Sequence, residues 1–221
     1  MIMKKLLLFI VLAFSVGSSL MAQNFFGGII IGGTASQVSG DARGGYHKIG
    51  VVGGGFAGLN LTDDIDIQME LKYIQKGSYS TDIENRPAFD PFLIKLDYID
   101  LPIVLAYNLN KININNINLA WLKLEVGLSF DFLINYRQEI LGVPVPASNP
   151  WKKMVLNTVV GFRVAVQDNI EIGLRAVDSM TSICKSFKEP YNNGNVIYAR
   201  RLFGRYGMFN DVLQLSLYWK L

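Results

Sequence analysis

From Ile65 to Tyr73 the chain alternates without a break. Ile65, Ile67, Met69, Leu71 and Tyr73 share one parity, and Asp66, Gln68, Glu70 and Lys72 share the other. Successive side chains of a β-strand point to opposite faces, so this parity separates an apolar face from a charged one; a helix would mix the two sets. The pattern recurs along the chain. Leu122, Leu124, Val126, Leu128, Phe130, Phe132 and Ile134 alternate with Lys123, Glu125, Gly127, Ser129 and Asp131. Leu156, Thr158, Val160, Phe162 and Val164 stand against Asn157 and Arg163, and Ile170, Ile172, Leu174 and Ala176 against Glu171, Gly173 and Arg175. At the end, Leu213, Leu215, Leu217 and Trp219 stand against Gln214, Ser216, Tyr218 and Lys220.

Eight strands are predicted: 26–38, 48–61, 65–79, 92–108, 119–136, 154–166, 170–176 and 213–221. In the fourth, Lys95 and Asp97 hold one parity before Ile99, Leu101, Ile103, Leu105 and Tyr107 take it over. That change implies a bulge near Asp97 to Asp100, and Pro102 beyond it suits a disturbed ladder. Short links near 62–64, 109–118 and 168–169 separate four long loops. A membrane barrel has this asymmetry, with short turns on the periplasmic side and long loops outside, whereas a secreted sandwich has no reason to show it. An apolar row as long as Leu122 to Ile134 would be a liability facing water and is expected facing lipid. The fold class expected is all-β: an eight-stranded antiparallel up-and-down transmembrane β-barrel. Tyr107 and Trp219 then fall at the periplasmic interface, and Tyr73 and Tyr136 near the outer one.

The first residues, Met1-Ile-Met-Lys-Lys5, are basic, Leu6 to Val16 is apolar, and small residues lead to Ala22. This is the layout of a secretory signal peptide, 1–22, with the barrel domain at 23–221. Beyond it, no apolar run approaches the roughly 20 residues of a membrane helix, which leaves the closed barrel as the other backbone solution in lipid. Without Lys4 and Lys5 the 21 basic and 18 acidic side chains come to a net charge of +1, giving no reason to expect nucleic acid. Cys184 is the single cysteine, so no intramolecular disulfide can form.

Gly32-Gly-Thr-Ala-Ser36, Gly40-Asp41, His47-Lys-Ile-Gly50, Gln68-Met-Glu-Leu-Lys-Tyr73, Gln75-Lys-Gly77, Leu96-Asp-Tyr-Ile-Asp-Leu-Pro102 and Leu213-Gln-Leu-Ser-Leu217 together resemble the PorT-like outer-membrane β-barrel family. The resemblance covers most of the chain after the leader. It implies an eight-stranded barrel in the outer membrane of a Gram-negative cell, and one namesake member serves type IX protein secretion.

Gly53-Gly-Gly-Phe-Ala-Gly58 matches G-x-G-x-x-G, the dinucleotide fingerprint, but that motif must open a helix within a βαβ unit. Here it runs through Leu59 to Asp64 into a strand, so the glycines read as places where a small barrel bends or packs tightly. His47 is the single histidine and supports neither a metal site nor a Ser-His pair. The inward charges Asp66, Glu70, Lys72, Lys123, Glu125, Asp131, Arg163, Glu171 and Arg175 admit two readings: a conducting or substrate-binding lumen, or a plug of paired charges. An eight-stranded barrel has room only for its own side chains, and buried charges persist by pairing, which favours the plug. The expectation is a non-enzymatic outer-membrane barrel without cofactor, acting structurally or through its extracellular loops. The alternatives are an accessory component of a type IX-like secretion assembly and a small pore. The partners expected are outer-membrane lipid, the barrel-assembly machinery during insertion, and secretion-system or surface proteins at the loops.

Overall fold

The computed structural model describes residues 25–41, 44–80, 91–114, 117–146, 151–185, 199–201 and 206–221. The leader predicted at 1–22 lies outside the described residues, as do parts of all four long loops.

Eight long strands are formed: β1 (Phe25–Ser39), β2 (Lys48–Asn60), β3 (Ile65–Ser80), β4 (Phe92–Asn108), β5 (Leu122–Ile140), β6 (Met154–Gln167), β7 (Ile170–Ser179) and β8 (Phe209–Lys220). Each pairs antiparallel with the next, and β8 returns to β1, from Gly28↔Lys220 to Ser39↔Phe209. Closure gives every long strand a partner on both sides, so the barrel has no free edge strand. Val143–Pro144 adds a short extension beside β5, and small ribbons pair Asn113–Ile114 with Ile117–Asn118 and Ala199–Arg200 with Tyr206–Gly207.

The short turns are built by local chemistry. Thr62 Oγ1 accepts the N–H groups of Asp64 and Ile65 at 3.3 and 3.0 Å, while Leu61 and Thr62 donate back to the Ile65 carbonyl. Asp168-Asn169 joins β6 to β7, with Gln167 opposite Ile170, as a two-residue hairpin. These turns lie at the same end as Phe25 and Lys220, the latter donating its N–H to the Asn169 carbonyl at 2.8 Å.

The two faces of the wall separate as parity demands. Ile29, Ile31, Met69, Leu71, Leu124, Leu128, Phe162, Ile172, Leu215 and Leu217 are all exposed on the outside. Tyr107 and Trp219 flank this band at the short-turn end, opposite Ile65 and Ile170, and Tyr136 lies toward the other. Inside, glycine makes close packing practicable. A Cβ on Gly54 would stand 2.2 Å from the Leu71 carbonyl oxygen, and one on Gly32 would stand 2.2 Å from that of Leu215. The Gly53–Gly58 segment is therefore a strand interior, with Gly54 and Gly58 facing inward.

Strand β4 departs from the sequence reading. Its even positions Ile94, Leu96, Tyr98, Asp100, Val104 and Ala106 are buried along its whole length, so there is no parity change within it. The irregularity lies on the neighbouring strand: Asp97 pairs with Asn135 and Tyr98 with Leu133, which leaves Ile134 of β5 as the extra residue. The physical reason is that the barrel interior changes character along its axis. At the long-connection end it is lined by Val38, Val52, Ile74, Ile94, Leu96, Tyr98 and Val155, so an apolar residue there faces in. Lys95 and Asp97 fall on the opposite face. Pro102 does interrupt a ladder, since the β3–β4 pairs are missing between Met69↔Ile103 and Lys72↔Asp100.

Candidate functional site in the barrel interior

All nine charged residues singled out from the sequence point into the barrel. Lys76, Asp100 and Lys220 join them, giving six carboxylates and six cations in one network among the described residues. Burying an ion is costly unless an opposite charge and hydrogen bonds replace its water. The network supplies each of these ions with an opposite charge, tier by tier, although Arg163 Nη2 and Asp131 Oδ1 are buried without a hydrogen-bond partner among the described residues.

At the short-turn end Lys123 Nζ lies 3.3 Å from Asp66 and 3.1 Å from Glu171, and Lys220 Nζ donates to Glu171 at 2.5 Å. Asp66, Lys123 and Lys220 border an open cavity of about 520 Å³ shared with Phe26, Asn108 and Asn110. One tier further in, Arg163 Nη1 donates to Gln68 at 3.1 Å and Glu171 at 3.0 Å, with its Nε 2.6 Å from Glu125. Arg175 grips Glu125 through Nε and Nη2 and reaches Glu70 through Nη1 at 2.9 Å. The Tyr218 ring lies 4.8 Å from the Arg163 guanidinium and 5.2 Å from that of Arg175, adding a π-face to both cations.

Lys72 donates to Glu70 at 2.9 Å and to Gln214 at 3.3 Å, and lies 3.5 Å from Asp100. Ser129 donates to Asp100, the cross-strand neighbour of Asp131, and Lys76 donates to Asp131 at 2.6 Å. Above this tier the apolar cluster takes over, closed by Ile183, Cys184 and Met208. Lys152 donates its N–H to the Ile183 carbonyl and Ile183 its own to that of Met208, which ties the segment after β7 across the mouth. The interior thus has a solvated lower vestibule, a packed ionic middle and an apolar top.

Lys76 and Asp100 were missed from the sequence, although the β3 parity of Asp66 to Lys72, carried four residues on, reaches Lys76. Asp100 was hidden by the misread parity of β4. Tyr218 and Lys220 were placed inward, but nothing in their spacing announces a cation–π platform. His47 is exposed in the β1–β2 connection. Cys184 is fully buried at an isolated bridge with Trp151, and burial pushes its thiol above the ordinary range.

An up-and-down barrel with a lipid-type outer band and an ionic core defines the class of protein. The family model described as outer membrane protein beta-barrel domain matches residues 20–185, and the chain belongs to that family. Its place is the outer membrane of a Gram-negative bacterium. Among solved structures, the attachment invasion locus protein Ail of Yersinia pestis is similar, with 11% identity, a TM-score of 0.48, and coverage of 90% of this chain and 99% of that one. The neisserial surface protein A follows at 11% and 0.47, covering 89% and 97%. The outer membrane protein AlkL, determined in DMPC bilayers, stands at 13% and 0.39, covering 88% and 90%. Comparison with curated proteins returned no match.

Proposed function

We propose that this protein is a non-enzymatic outer-membrane barrel whose lumen is sealed, and that it acts through the segments at its long-connection end. The observation that carries the reading is the charge-balanced middle of the interior. Glu70, Glu125, Asp100 and Asp131 are held there by Lys72, Arg163, Arg175 and Lys76, under an apolar layer, and side chains held by one another fill the narrow interior of an eight-stranded barrel. A rigid, packed scaffold with long connections at one end is the usual way to display binding segments.

A secretion-accessory role is the second reading, and the PorT-like resemblance supports it. The segment that carries most of that resemblance, Leu96 to Pro102, serves packing here: Leu96 and Tyr98 line the apolar layer and Asp100 bonds Ser129. Recovery of the tagged protein from solubilised outer membrane distinguishes the readings. A defined partner that is lost when residues 185–207 are replaced supports the first, and recovery of secretion components supports the second. A protein that comes away alone after crosslinking in intact cells contradicts both.

A further inference from the structure

The wall between β5 and β6 parts at the long-connection end. Phe132 still pairs with Met154, and Leu133 donates its N–H to the Lys153 carbonyl at 2.9 Å. Beyond that point β5 runs on to Ile140 with β4 on one side and the 143–144 extension on the other, leaving the chain at 151–153 behind. The extra residue of the bulge, Ile134, falls at this parting. The result is a cleft of about 460 Å³ lined by Leu133, Ile134, Tyr136, Pro146, Trp151 and Lys153. That volume is in the range that seats small ligands and single lipid chains.

Three features say what the cleft suits. Ile134 and Met154 are exposed members of the apolar outer band, so the mouth opens onto the surface that lipid covers. Trp151 packs against the inner apolar cluster and forms part of the lining, and its indole N–H has no partner among the described residues. Lys153 is exposed beside the mouth, and among the described residues no carboxylate lies within ion-pair distance of it. The neighbouring rim cations differ: Arg137 is paired with Glu139, and Lys95 lies 4.0 Å from Asp97.

We propose that this cleft seats an anionic phospholipid, with an acyl chain along Ile134, Leu133 and Trp151 and the phosphate on Lys153 Nζ. An apolar trough open to hydrocarbon takes a chain without desolvating polar groups, and a cation at headgroup level adds a preference for negative charge. The proposal rests on membrane residence but not on which end of the barrel faces outward.

The experiment uses a protein with Trp151 as its single tryptophan (Trp121→Phe, Trp219→Phe) in nanodiscs. Either dibrominated phosphatidylglycerol or dibrominated phosphatidylcholine is present at equal mole fraction, and bromine on the chains quenches a tryptophan that touches them. Trp151 is expected to be quenched more by the anionic lipid, and Lys153→Gln is expected to abolish the difference while leaving quenching by phosphatidylcholine unchanged. Equal quenching by the two lipids, a preference that survives Lys153→Gln, or no quenching by either would overturn the proposal. Quenching of Trp219 in a second single-tryptophan protein (Trp121→Phe, Trp151→Phe) reports insertion independently, so failure of the cleft and failure to enter the membrane are distinguishable. Should the single-tryptophan protein not fold, native mass spectrometry of the unaltered and Lys153→Gln proteins decides the same question: the unaltered protein is expected to retain more phosphatidylglycerol, and equal retention would overturn the proposal.

Discussion

Arg175 holds Glu125 in a two-pronged grip, with Nε donating to Oε2 at 2.7 Å and Nη2 to Oε1 at 2.9 Å, both residues buried. The remaining prong reaches Glu70. Removing one member of such a group strands its partners, at a cost of about 3–5 kcal/mol. Arg175→Leu is therefore expected to lower the stability measured by urea unfolding from lipid vesicles by that amount, since it leaves Glu70 and Glu125 facing each other. Arg175→Lys keeps the charge but not the fork and is expected to fall between. Combining Arg175→Leu with Glu125→Leu should cost less than the sum of the single changes. Additive effects would show that the two side chains do not act as a pair.

The two faces of β5 should respond oppositely. Leu124 and Leu128 face outward, as does Phe162 on β6, and an arginine at each is expected to cost about 2–4 kcal/mol near the bilayer midplane. Ser129 faces inward and donates to Asp100, so Ser129→Ala strips a buried carboxylate of a donor and is expected to cost about 1–3 kcal/mol. By parity alone, inward Ser129 should take a polar replacement better than outward Leu124, Leu128 or Phe162 takes a charge. The geometry narrows that to residues that keep the hydroxyl, and Ser129→Thr against Ser129→Ala in the same unfolding assay checks it.

Adjacent glycines offer a test of packing within one strand. A Cβ on Gly54 would meet the Leu71 carbonyl oxygen at 2.2 Å and Lys72 Cα at 2.5 Å, whereas on Gly55 the nearest atom is the Gly28 carbonyl oxygen at 3.5 Å. Gly54→Ala is expected to destabilise by about 1–3 kcal/mol through overpacking. Gly55→Ala should leave the transition near its original position. Equal effects of the two would contradict the assignment of Gly54 to the inside.

Most of the wall was legible because alternation is unbroken wherever the interior is polar. Asp66 to Lys72, Lys123 to Asp131, and Glu171 to Arg175 set charged, polar or glycine positions against apolar residues at every step, so strand and face are read together. The reading failed where that contrast disappears. In β4 the inward Ile94 and Leu96 are as apolar as residues facing lipid, while Lys95 and Asp97 on the outer face are polar, so the parity looked reversed. The extra residue of the ladder, Ile134, continues an apolar series in sequence and leaves no local mark of its insertion. Long-range partners such as Lys76 with Asp131 depend on which strands meet across the lumen, which periodicity within one strand does not contain.

Cys184 should be silent toward a maleimide in the folded protein. It is fully buried, and burial pushes the thiol up, so less thiolate is present at neutral pH than on a free cysteine. Labelling is expected only after unfolding; rapid reaction of the native protein would show that the segment closing the mouth does not stay in place.

With Cys184→Ala as background, Val143→Cys reports the long-connection end and Asp63→Cys or Asn169→Cys the short turns. Val143→Cys is expected to label on intact cells, and the other two only once the outer membrane is opened. Labelling of both sets from outside would reject the orientation.

The proposed seal of the lumen is the centre of the account, and planar-bilayer recording of the purified protein reaches it most directly. With Arg163, Arg175, Lys72 and Lys76 each held by carboxylates beneath an apolar layer, no steady current is expected from the folded barrel at any applied voltage that leaves the bilayer intact. Reproducible unitary conductance steps from that protein would contradict the plug and make the interior a pathway.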